Sequence, residues 1–345
     1  MALTEQRNHP PLLHRPGLRR IAVFRALRLG DLLCAVPALR ALRAALPYAH
    51  ITLIALPWAE QFAQRFATYI DEFIPFPGHP AFPEQAVREY NIPRFYQAMR
   101  ARHFDLALQM HGSGEISNGI VSAFGARVTA GFVPDNACMS DRFLPYPASG
   151  LEPRRLLQLV QFLGATPQGD HLEFPLDEQD KCELEAAGIT GGLREGSYIC
   201  IHPGASTLEK CWPLKRFAEV AERLHREFQL PIVLTGSPQE AELVATVAGQ
   251  MRVKAINAAP PSSIGLSIGA MASLLSRSRL LVCNDTGVSH IAAGLKLPSV
   301  VIFSTADIRR WAPVDQDLHR CIRDPQGRKA AKVVSLARHL LRASA

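Results

Sequence analysis

The chain alternates short apolar runs of β type with segments of helical periodicity, and this alternation constrains the fold more than any other feature of the sequence. The runs 21–25 and 198–202 each lead into a helical segment, and further runs and helices follow in both halves. Because parallel strands are joined by helical crossovers, the pattern predicts an α/β fold with two Rossmann-like domains. Ligands bind at the carboxyl ends of the strands in such sheets, so the strand-to-helix junctions are the candidate sites.

The order of these segments predicts two domains with an addition at each end. The stretch 1–20 is polar and contains three prolines, which predicts a flexible leader. The first domain covers 21–170 and the second covers 190–325, with a linker rich in Gly, Pro and acidic residues between them. Residues 326–345 are predicted to form a C-terminal helix that packs back on the body. The basic side chains of this helix also favour contact with anionic lipid head groups.

Composition narrows the classes of function. The chain is 48% hydrophobic and 20% charged, which excludes an intrinsically disordered protein. The net charge of +7 could serve anionic lipid, nucleotide or nucleic acid, but it is too diffuse to indicate one of them. We expect no nucleic-acid partner. The seven cysteines form no C-x-x-C pair, and no apolar run is long enough to span a membrane. These features predict a cytoplasmic protein without a zinc ribbon or a disulfide framework.

The first junction, 25–31, places Gly30 and Asp31 between a predicted strand and a predicted helix. Two interpretations stay open. Asp31 could cap the helix by accepting hydrogen bonds from free backbone N–H groups, with Gly30 allowing a sharp turn before it. Alternatively, Asp31 is a carboxylate at a strand end that acts as a general base on a substrate hydroxyl. A helix N-terminus keeps such a carboxylate ionised but weakens it as a base.

The junction after the run 198–202 favours anion binding. Its loop contains small residues, the Ser206 and Thr207 hydroxyls and the Lys210 side chain. Small residues let backbone N–H groups approach an anion, and the lysine supplies a mobile positive charge for phosphate. The alternative is a solvated loop with an exposed lysine.

A third junction enters a helix directly at Thr286 and Gly287, with Asp285 before them and His290 one turn later. The free N–H groups and the dipole of this helix predict an anion site. The alternative is an Asp285 cap with a packed His290. Because two anion-type junctions lie in one half of the chain, a nucleotide pyrophosphate is favoured.

A weaker signal lies after the apolar run 104–110. Gly112 and Gly114 form a partial dinucleotide fingerprint, and Asp135 follows at the distance expected for a ribose-binding acid. Ser117 replaces the third glycine of the fingerprint, and Asp135 lies where a turn is predicted. This segment supports a nicotinamide-dependent oxidoreductase as an alternative function.

Three motifs carry a resemblance to a known family, and they occur in the order of that family. They are Arg25-x-x-x-Leu-Gly30-Asp31, His202-Pro-Gly-x7-Trp212-Pro213-x3-Phe217 and Asp285-Thr286-Gly287-x-Ser289-His290-x-Ala292-Ala293. Together they resemble glycosyltransferase family 9, the lipopolysaccharide heptosyltransferases. The resemblance implies a GT-B fold, with an N-terminal acceptor domain and a C-terminal nucleotide-sugar donor domain facing across a cleft.

The resemblance also implies residue roles. It assigns the base that deprotonates the acceptor hydroxyl to Asp31, and contacts to the donor phosphates or sugar to Lys210. It adds further donor contacts at Ser206, Thr207, Glu240, Asp285, Thr286, Gly287 and His290. On the acceptor side it points to Arg25, Arg28, Gly30 and His111.

The implied activity is an inverting, metal-independent transfer of a sugar, typically heptose from ADP-heptose, to a lipopolysaccharide-core or other glycan or glycolipid acceptor. It needs no cofactor, and it is expected in the cytoplasm or peripherally at the inner face of the membrane. Family members that act on the acidic sugar Kdo often have a lysine where this chain has Glu115, which disfavours an anionic acceptor. A further alternative is a non-catalytic protein that binds a sugar nucleotide.

Overall fold

The computed structural model describes residues 10–84, 87, 91–259 and 265–343. The chain forms two compact units, Met1–Asp170 and His171–Ala345. No helix among the described residues has the length and apolar character needed to cross a membrane.

The first unit is built from six strands and six α-helices in its described part. The strands are β1 (Arg20–Phe24), β2 (His50–Ala55), β3 (Glu72–Pro75), β4 (Leu106–Gln109), β5 (Val128–Val133) and β6 (Phe143–Pro145). The helices are α1 (Leu29–Leu33), α2 (Val36–Ala45), α3 (Glu60–Arg65), α4 (Ile92–Ala101), α5 (Ser117–Ser122) and α6 (Glu152–Leu163).

The sheet of this unit has the strand order β3-β2-β1-β4-β5-β6, and all its pairs are parallel. The strand order reverses direction between β1 and β4, which makes their carboxyl ends the topological switch point. In the ladder Phe24 lies opposite both Ile54 and Gln109, so β1, β2 and β4 end at one level. Buried aromatic side chains such as Phe24, Phe76 and Phe124 fill the core on one side of the sheet.

The second unit repeats this plan. Its strands are β7 (Ile199–His202), β8 (Ile232–Leu234), β9 (Ile256–Asn257), β10 (Leu280–Asn284), β11 (Ser299–Phe303) and β12 (His319–Arg323). Its helices are α7 (Glu178–Ala186), α8 (Leu214–Phe228), α9 (Ala241–Gln250), α10 (Ile268–Ser276), α11 (Gly287–Gly294), α12 (Ile308–Trp311) and α13 (Ala330–Ala343). The sheet order is β12-β11-β10-β7-β8-β9, again all parallel, so the switch point lies between β7 and β10.

The C-terminal helix α13 packs its apolar side into the core of the second unit. Val333, Val334 and Ala337 are buried there against α8 and the sheet. On the polar side, both Nε and Nη2 of Arg338 donate to the Glu227 carboxylate of α8, at 2.6 and 2.7 Å. Part of the basic charge that suggested lipid contact is therefore paired within the unit.

Two segments outside the sheets contain structure that the sequence did not predict. Residues 10–19 are not a loose leader, because Leu12 and Leu13 are buried and the His14 ring contacts the Gly164 carbonyl at 2.8 Å. Residues 1–9 of the predicted leader lie outside the described residues. The predicted linker before residue 190 contains α7, which Asp177 caps and which packs against α10 in the second unit.

Candidate active site

The switch point of the first unit brings together two of the predicted residues. Asp31 follows β1 and His111 follows β4, and these strands are neighbours in the sheet. The Ala26 backbone N–H donates to Nδ1 of His111 at 3.3 Å, which ties the two loops to each other.

The local structure around Asp31 differs from both turn and cap predictions. Helix α1 begins at Leu29, and Arg28 occupies the N-cap position without a side-chain capping bond. Gly30 therefore lies inside the helix rather than in a sharp turn, and Asp31 is in the first turn rather than at the cap. The Asp31 side chain is 23% exposed, so its carboxylate is accessible at the carboxyl edge of the sheet.

Arg25 is buried within the first unit. Its side chain is only 1% exposed, and its guanidinium donates to three groups of the first unit. Nε donates to the Asp31 backbone carbonyl at 2.8 Å, Nη1 to the Met110 carbonyl, and Nη2 to Glu152 at 3.1 Å. These bonds hold Arg25 within the first unit, whereas Arg28 is exposed on the same loop.

His111 is held as a neutral ring. It stacks between Phe24 and Phe82, with ring centroids 5.5 and 4.2 Å away. Burial, together with the charge of Arg25, lowers the pKa of His111 from 6.5 to about 3. Because Nδ1 accepts the Ala26 N–H, the proton of the neutral ring is on Nε2, which makes that atom a hydrogen-bond donor.

In the second unit, Asn284 joins the two predicted anion junctions. It ends β10, and its amide donates to the Pro203 and Gly204 carbonyls at 2.7 and 3.1 Å. Its carbonyl accepts the Trp212 backbone N–H at 2.9 Å. Both ends of the loop after β7 are thus fixed to the end of β10, its neighbour across the switch point.

That loop presents the groups expected to bind phosphate. Ser206 and Thr207 are exposed, and Lys210 is half-buried in a short 3-10 turn over Leu208–Lys210. Within the described part of the chain, the Lys210 ammonium and the two hydroxyls make no hydrogen bond or ion pair. These groups are therefore available to an anion.

The N-terminus of α11 lies at the end of β10. Thr286 is the N-cap residue, with no capping bond from its side chain, and Gly287 is the first helical residue. Asp285 precedes the cap and is 7% exposed, so it does not cap the helix itself. His290 is 4% exposed, and its ring packs at 6.4 Å from the Trp311 ring. In the first turn the Ser289 N–H donates to the Thr286 carbonyl at 3.0 Å. The helix thus begins at the residues where the sequence predicts an anion site.

Glu240 lies beside the loop after β7 although it comes from the next strand-to-helix junction. One carboxylate oxygen accepts from the Ser237 N–H and hydroxyl at 2.8 and 2.9 Å. The same oxygen is 3.8 Å from Nε2 of His202. Burial lowers the pKa of His202, and the Glu240 charge partly opposes that shift. Gly204 passes so close that a Cβ there would lie 2.0 Å from Oε1 of Glu240.

No role was assigned from the sequence to several residues of this edge. Trp212 is fully buried, and its indole N–H donates to Asp324 at 3.0 Å, so it anchors the loop. Ser304 directly follows β11 and is 5% exposed, and its hydroxyl has no hydrogen-bond partner in the described part of the chain. Neither the Asn284 bridge nor Ser304 has a local sequence signal, because their environments come from neighbouring strands.

The partial dinucleotide fingerprint has a local structural explanation. Gly112 and Gly114 both have positive φ, at 60° and 86°. A Cβ on Gly114 would lie 2.2 Å from the Phe132 carbonyl oxygen. Asp135 is exposed in a turn after β5. The positive φ and the close contact with Phe132 therefore explain Gly114 without a bound dinucleotide. Among the described residues, no three His, Cys, Asp or Glu side chains come together as metal ligands.

Comparisons with known proteins agree with this arrangement. The model of the family described as glycosyltransferase family 9 (heptosyltransferase) matches residues 92–339. Lipopolysaccharide heptosyltransferase 3 of Escherichia coli is 28% identical over 134 residues, which are 38% of this chain and 36% of that protein. The alignment thus spans little more than a third of that relative.

Solved structures extend the similarity to both units. A glycosyl transferase family 9 protein from Veillonella parvula superposes with a TM-score of 0.78 at 22% identity, covering 94% of this chain and 97% of that one. An E. coli heptosyltransferase with ADP gives a TM-score of 0.68 at 19% identity, covering 94% and 100%. The expected GT-B fold is confirmed. Since the family model covers well over half of its length, the chain belongs to glycosyltransferase family 9 (heptosyltransferase).

Proposed function

We propose that this protein transfers a sugar, most simply heptose from ADP-heptose, to a lipopolysaccharide-core or other glycan or glycolipid acceptor. The family assignment supports sugar transfer. The similar E. coli heptosyltransferase with ADP supports an adenine nucleotide in the donor.

One observation carries the proposal. At the switch point of the second unit, the unpaired Lys210 ammonium and the N-terminus of α11 follow neighbouring strands, β7 and β10. A cation and a helix N-terminus on adjacent strand ends suit a diphosphate, which carries charge on two phosphoryl groups. We assign Ser206, Thr207, Thr286 and Gly287 to the same diphosphate. Glu240 is assigned to the nucleoside, and Asp285 and His290 to the sugar side.

The chemistry is a single displacement. Asp31 takes the proton from the acceptor hydroxyl. At the same time the oxygen of that hydroxyl forms a bond to the anomeric carbon of the donor sugar. The bond from that carbon to the diphosphate oxygen breaks, and the nucleoside diphosphate leaves with the electron pair. Attack opposite the leaving group inverts the anomeric centre. Lys210 and the α11 N–H groups stabilise the charge that develops on the diphosphate, without requiring a metal ion.

The first unit supports a neutral acceptor. The loop after β4 exposes Glu115 and Ile116, so it presents a carboxylate and an apolar side chain rather than cations. The Nε2–H group of His111 is a suitable donor to a sugar hydroxyl. We therefore infer an acceptor recognised through hydroxyl groups.

Peripheral membrane binding is a separate proposal. Arg328, Lys329 and Lys332 are exposed at the start of α13. Each such cation near an anionic surface contributes roughly 1 kcal/mol to binding. Co-sedimentation with phosphatidylglycerol vesicles but not with phosphatidylcholine vesicles would support it, and no difference between the two would contradict it.

The first experiment is a thermal-shift panel with ADP, UDP, GDP, NAD and ADP-heptose. A ligand at a hundred times its Kd adds about 2.7 kcal/mol of stability, which gives a clear shift. Stabilisation by ADP and ADP-heptose alone is expected. Stabilisation by another nucleotide would change the proposed donor but not the mechanism. Stabilisation by NAD alone would support the oxidoreductase.

The second experiment tests the base. Asp31→Asn is expected to reduce turnover by about 10²–10⁴-fold, because general base catalysis contributes that range. Donor affinity should stay within twofold of the wild type, since Asp31 belongs to the first unit. A near-normal rate in this variant would show that Asp31 is not the base. Donor binding without transfer or donor hydrolysis in the wild type would favour a non-catalytic sugar-nucleotide-binding protein.

A further inference from the structure

We propose that Arg25 and Glu152 form a positioning pair for Asp31, in which Arg25 holds the backbone of Asp31 and Glu152 keeps the Arg25 charge from capturing its carboxylate. The inference rests on the proposed role of Asp31 as the base. It concerns two buried residues that lie 127 positions apart in the sequence.

Arg25 connects three elements around the base. Its Nε–H holds the Asp31 backbone carbonyl at 2.8 Å, and its Nη1 donates to the Met110 carbonyl at the end of β4. Its Nη2 reaches Glu152, the first residue of α6, at 3.1 Å. The first turn of α1 is thereby fixed to β4 and to α6. A planar guanidinium can make all three bonds at once, which the ammonium of a lysine cannot reproduce with the same directions.

The distances show which carboxylate accepts the hydrogen bond from Nη2 of Arg25. Nη2 is 3.1 Å from Glu152 Oε1 but 3.9 Å from Asp31 Oδ1. The longer distance is beyond hydrogen-bond range, so Arg25 acts on the Asp31 carboxylate only through its charge. Glu152 is 1% exposed, which prevents water from screening its pairing with Arg25.

Further contacts hold Glu152 in place. Its Oε2 accepts from the Tyr146 hydroxyl at 3.0 Å and lies 4.0 Å from Nη1 of Arg155. Arg155 also lies over the Tyr146 ring, 5.3 Å from its centroid. The carboxylate is thus oriented from one side by Tyr146 and Arg155 and pairs with Arg25 on the other.

This arrangement answers a difficulty in the use of Asp31 as a base. A position in the first helical turn and a cation nearby both favour the ionised carboxylate and weaken it as a proton acceptor. A direct Arg25–Asp31 hydrogen bond would weaken it further. Glu152 prevents that bond. The neighbouring His111 adds no charge, because burial and Arg25 hold its pKa at about 3. Arg28 is the remaining cation of the loop and is exposed to solvent screening.

The test is the titration of Asp31 itself, which needs neither donor nor acceptor. In full-length protein labelled with ¹³C at aspartate carboxyls, the Asp31 signal is assigned with Asp31→Asn and followed against pH. Four proteins are compared: wild type, Glu152→Gln, Arg25→Met and the double variant. The matched control is Glu72→Gln, which removes a carboxylate of the same unit that pairs with Arg102.

The proposal predicts an order of midpoints. Glu152→Gln releases Arg25 toward Asp31 and lowers the midpoint, while Arg25→Met removes the cation and raises it by about one pH unit or more. The double variant falls between the wild type and Arg25→Met, and the control does not move. An unchanged midpoint in Glu152→Gln, or any other order, would overturn the proposal.

Two safeguards keep the outcomes separate. A single variant leaves a buried charge without its partner, so Glu152→Asp, which retains the carboxylate but shortens its reach, replaces Glu152→Gln if that variant does not fold. A smaller downward shift is then expected, and none would contradict the pair. If the order holds but Asp31→Asn keeps its activity, the positioning pair stands and the base assignment fails. If Asp31→Asn is inactive but the midpoints do not follow the predicted order, the base assignment stands and the positioning pair fails.

Discussion

At the scale of the residue, two features distinguish the edge of the second sheet: a backbone contact too close for a Cβ and a buried hydroxyl without a hydrogen bond to the described residues. Gly204 leaves no room for a Cβ beside Glu240, and Ser304 buries a hydroxyl without a partner in the described part of the chain. Both residues lie on the carboxyl edge of the second sheet, where we place the donor. Their features differ from ordinary core residues, which are satisfied and tightly packed.

Gly204→Ala is expected to displace the Glu240 carboxylate from its bonds with Ser237. The lost cap should lower the free energy of unfolding by about 1 kcal/mol and donor affinity by about tenfold, because Glu240 is assigned to the nucleoside. Urea denaturation and donor titration measure the two effects. Gly249→Ala is the control, since a Cβ there meets nothing within 4 Å on helix α9, and it should stabilise by roughly 0.5–1 kcal/mol. Unchanged donor affinity in Gly204→Ala would separate Glu240 from the site.

Ser304→Ala is expected to raise the free energy of unfolding of the ligand-free protein by roughly 1 kcal/mol. The reason is that the substitution removes a buried hydroxyl that is desolvated without a compensating bond. Ser278→Ala is matched in burial but loses a hydrogen bond to the Leu275 carbonyl at 2.7 Å, so it should destabilise by a similar amount. Chemical denaturation of both variants provides the comparison, and a loss of stability in Ser304→Ala would mean that its hydroxyl is satisfied.

At the scale of the element, Asp324 connects a helix, a strand and a loop. It follows β12, accepts the Trp212 indole N–H, and accepts the Arg328 and Lys329 backbone N–H groups at 3.0 and 2.8 Å. The latter two bonds lie just before α13 and fix the start of that helix. The same carboxylate therefore anchors both α13 and the loop that carries Lys210.

Asp324→Ala should reduce the free energy of unfolding by about 2–4 kcal/mol, because it removes the bonds before α13 and leaves a buried indole N–H unpaired. Asp135→Ala is the control, since that residue is exposed in a turn and surface substitutions usually stay within about 0.5 kcal/mol. Denaturant melts monitored by circular dichroism measure both. Equal stability of the two variants would show that Asp324 anchors nothing.

At the scale of the whole molecule, buried histidines make stability depend on pH in both units. Burial, with the Arg25 charge, lowers the pKa of His111 to about 3, and burial lowers that of His319 to about 4. In the unfolded chain both titrate near 6.5. The unfolded state thus binds more protons below that pH, so the stability from these groups is complete above pH 6.5 and is lost as pH falls toward 4 and then 3.

Each of the two histidines should contribute a slope of about 1.4 kcal/mol per pH unit between roughly pH 6 and 4.5. His319→Gln is expected to remove one such contribution from the slope. Urea denaturation at four pH values gives the slopes. A variant of His319 with the full wild-type slope would show that the buried ring is already protonated in the folded protein.

The sequence by itself determined the α/β class, the places where strands run into helices, and the chemical type of the side chains there. These are local properties, since hydrophobic period and short motifs depend on neighbouring residues. Short or weakly patterned elements such as β9 and α7 lack that signal and were missed. The tertiary structure alone decided the strand orders, which set β1 beside β4 and β7 beside β10. The tertiary structure also decided that Arg25 is a buried partner of Glu152. Pairing between such distant segments depends on packing rather than on local pattern.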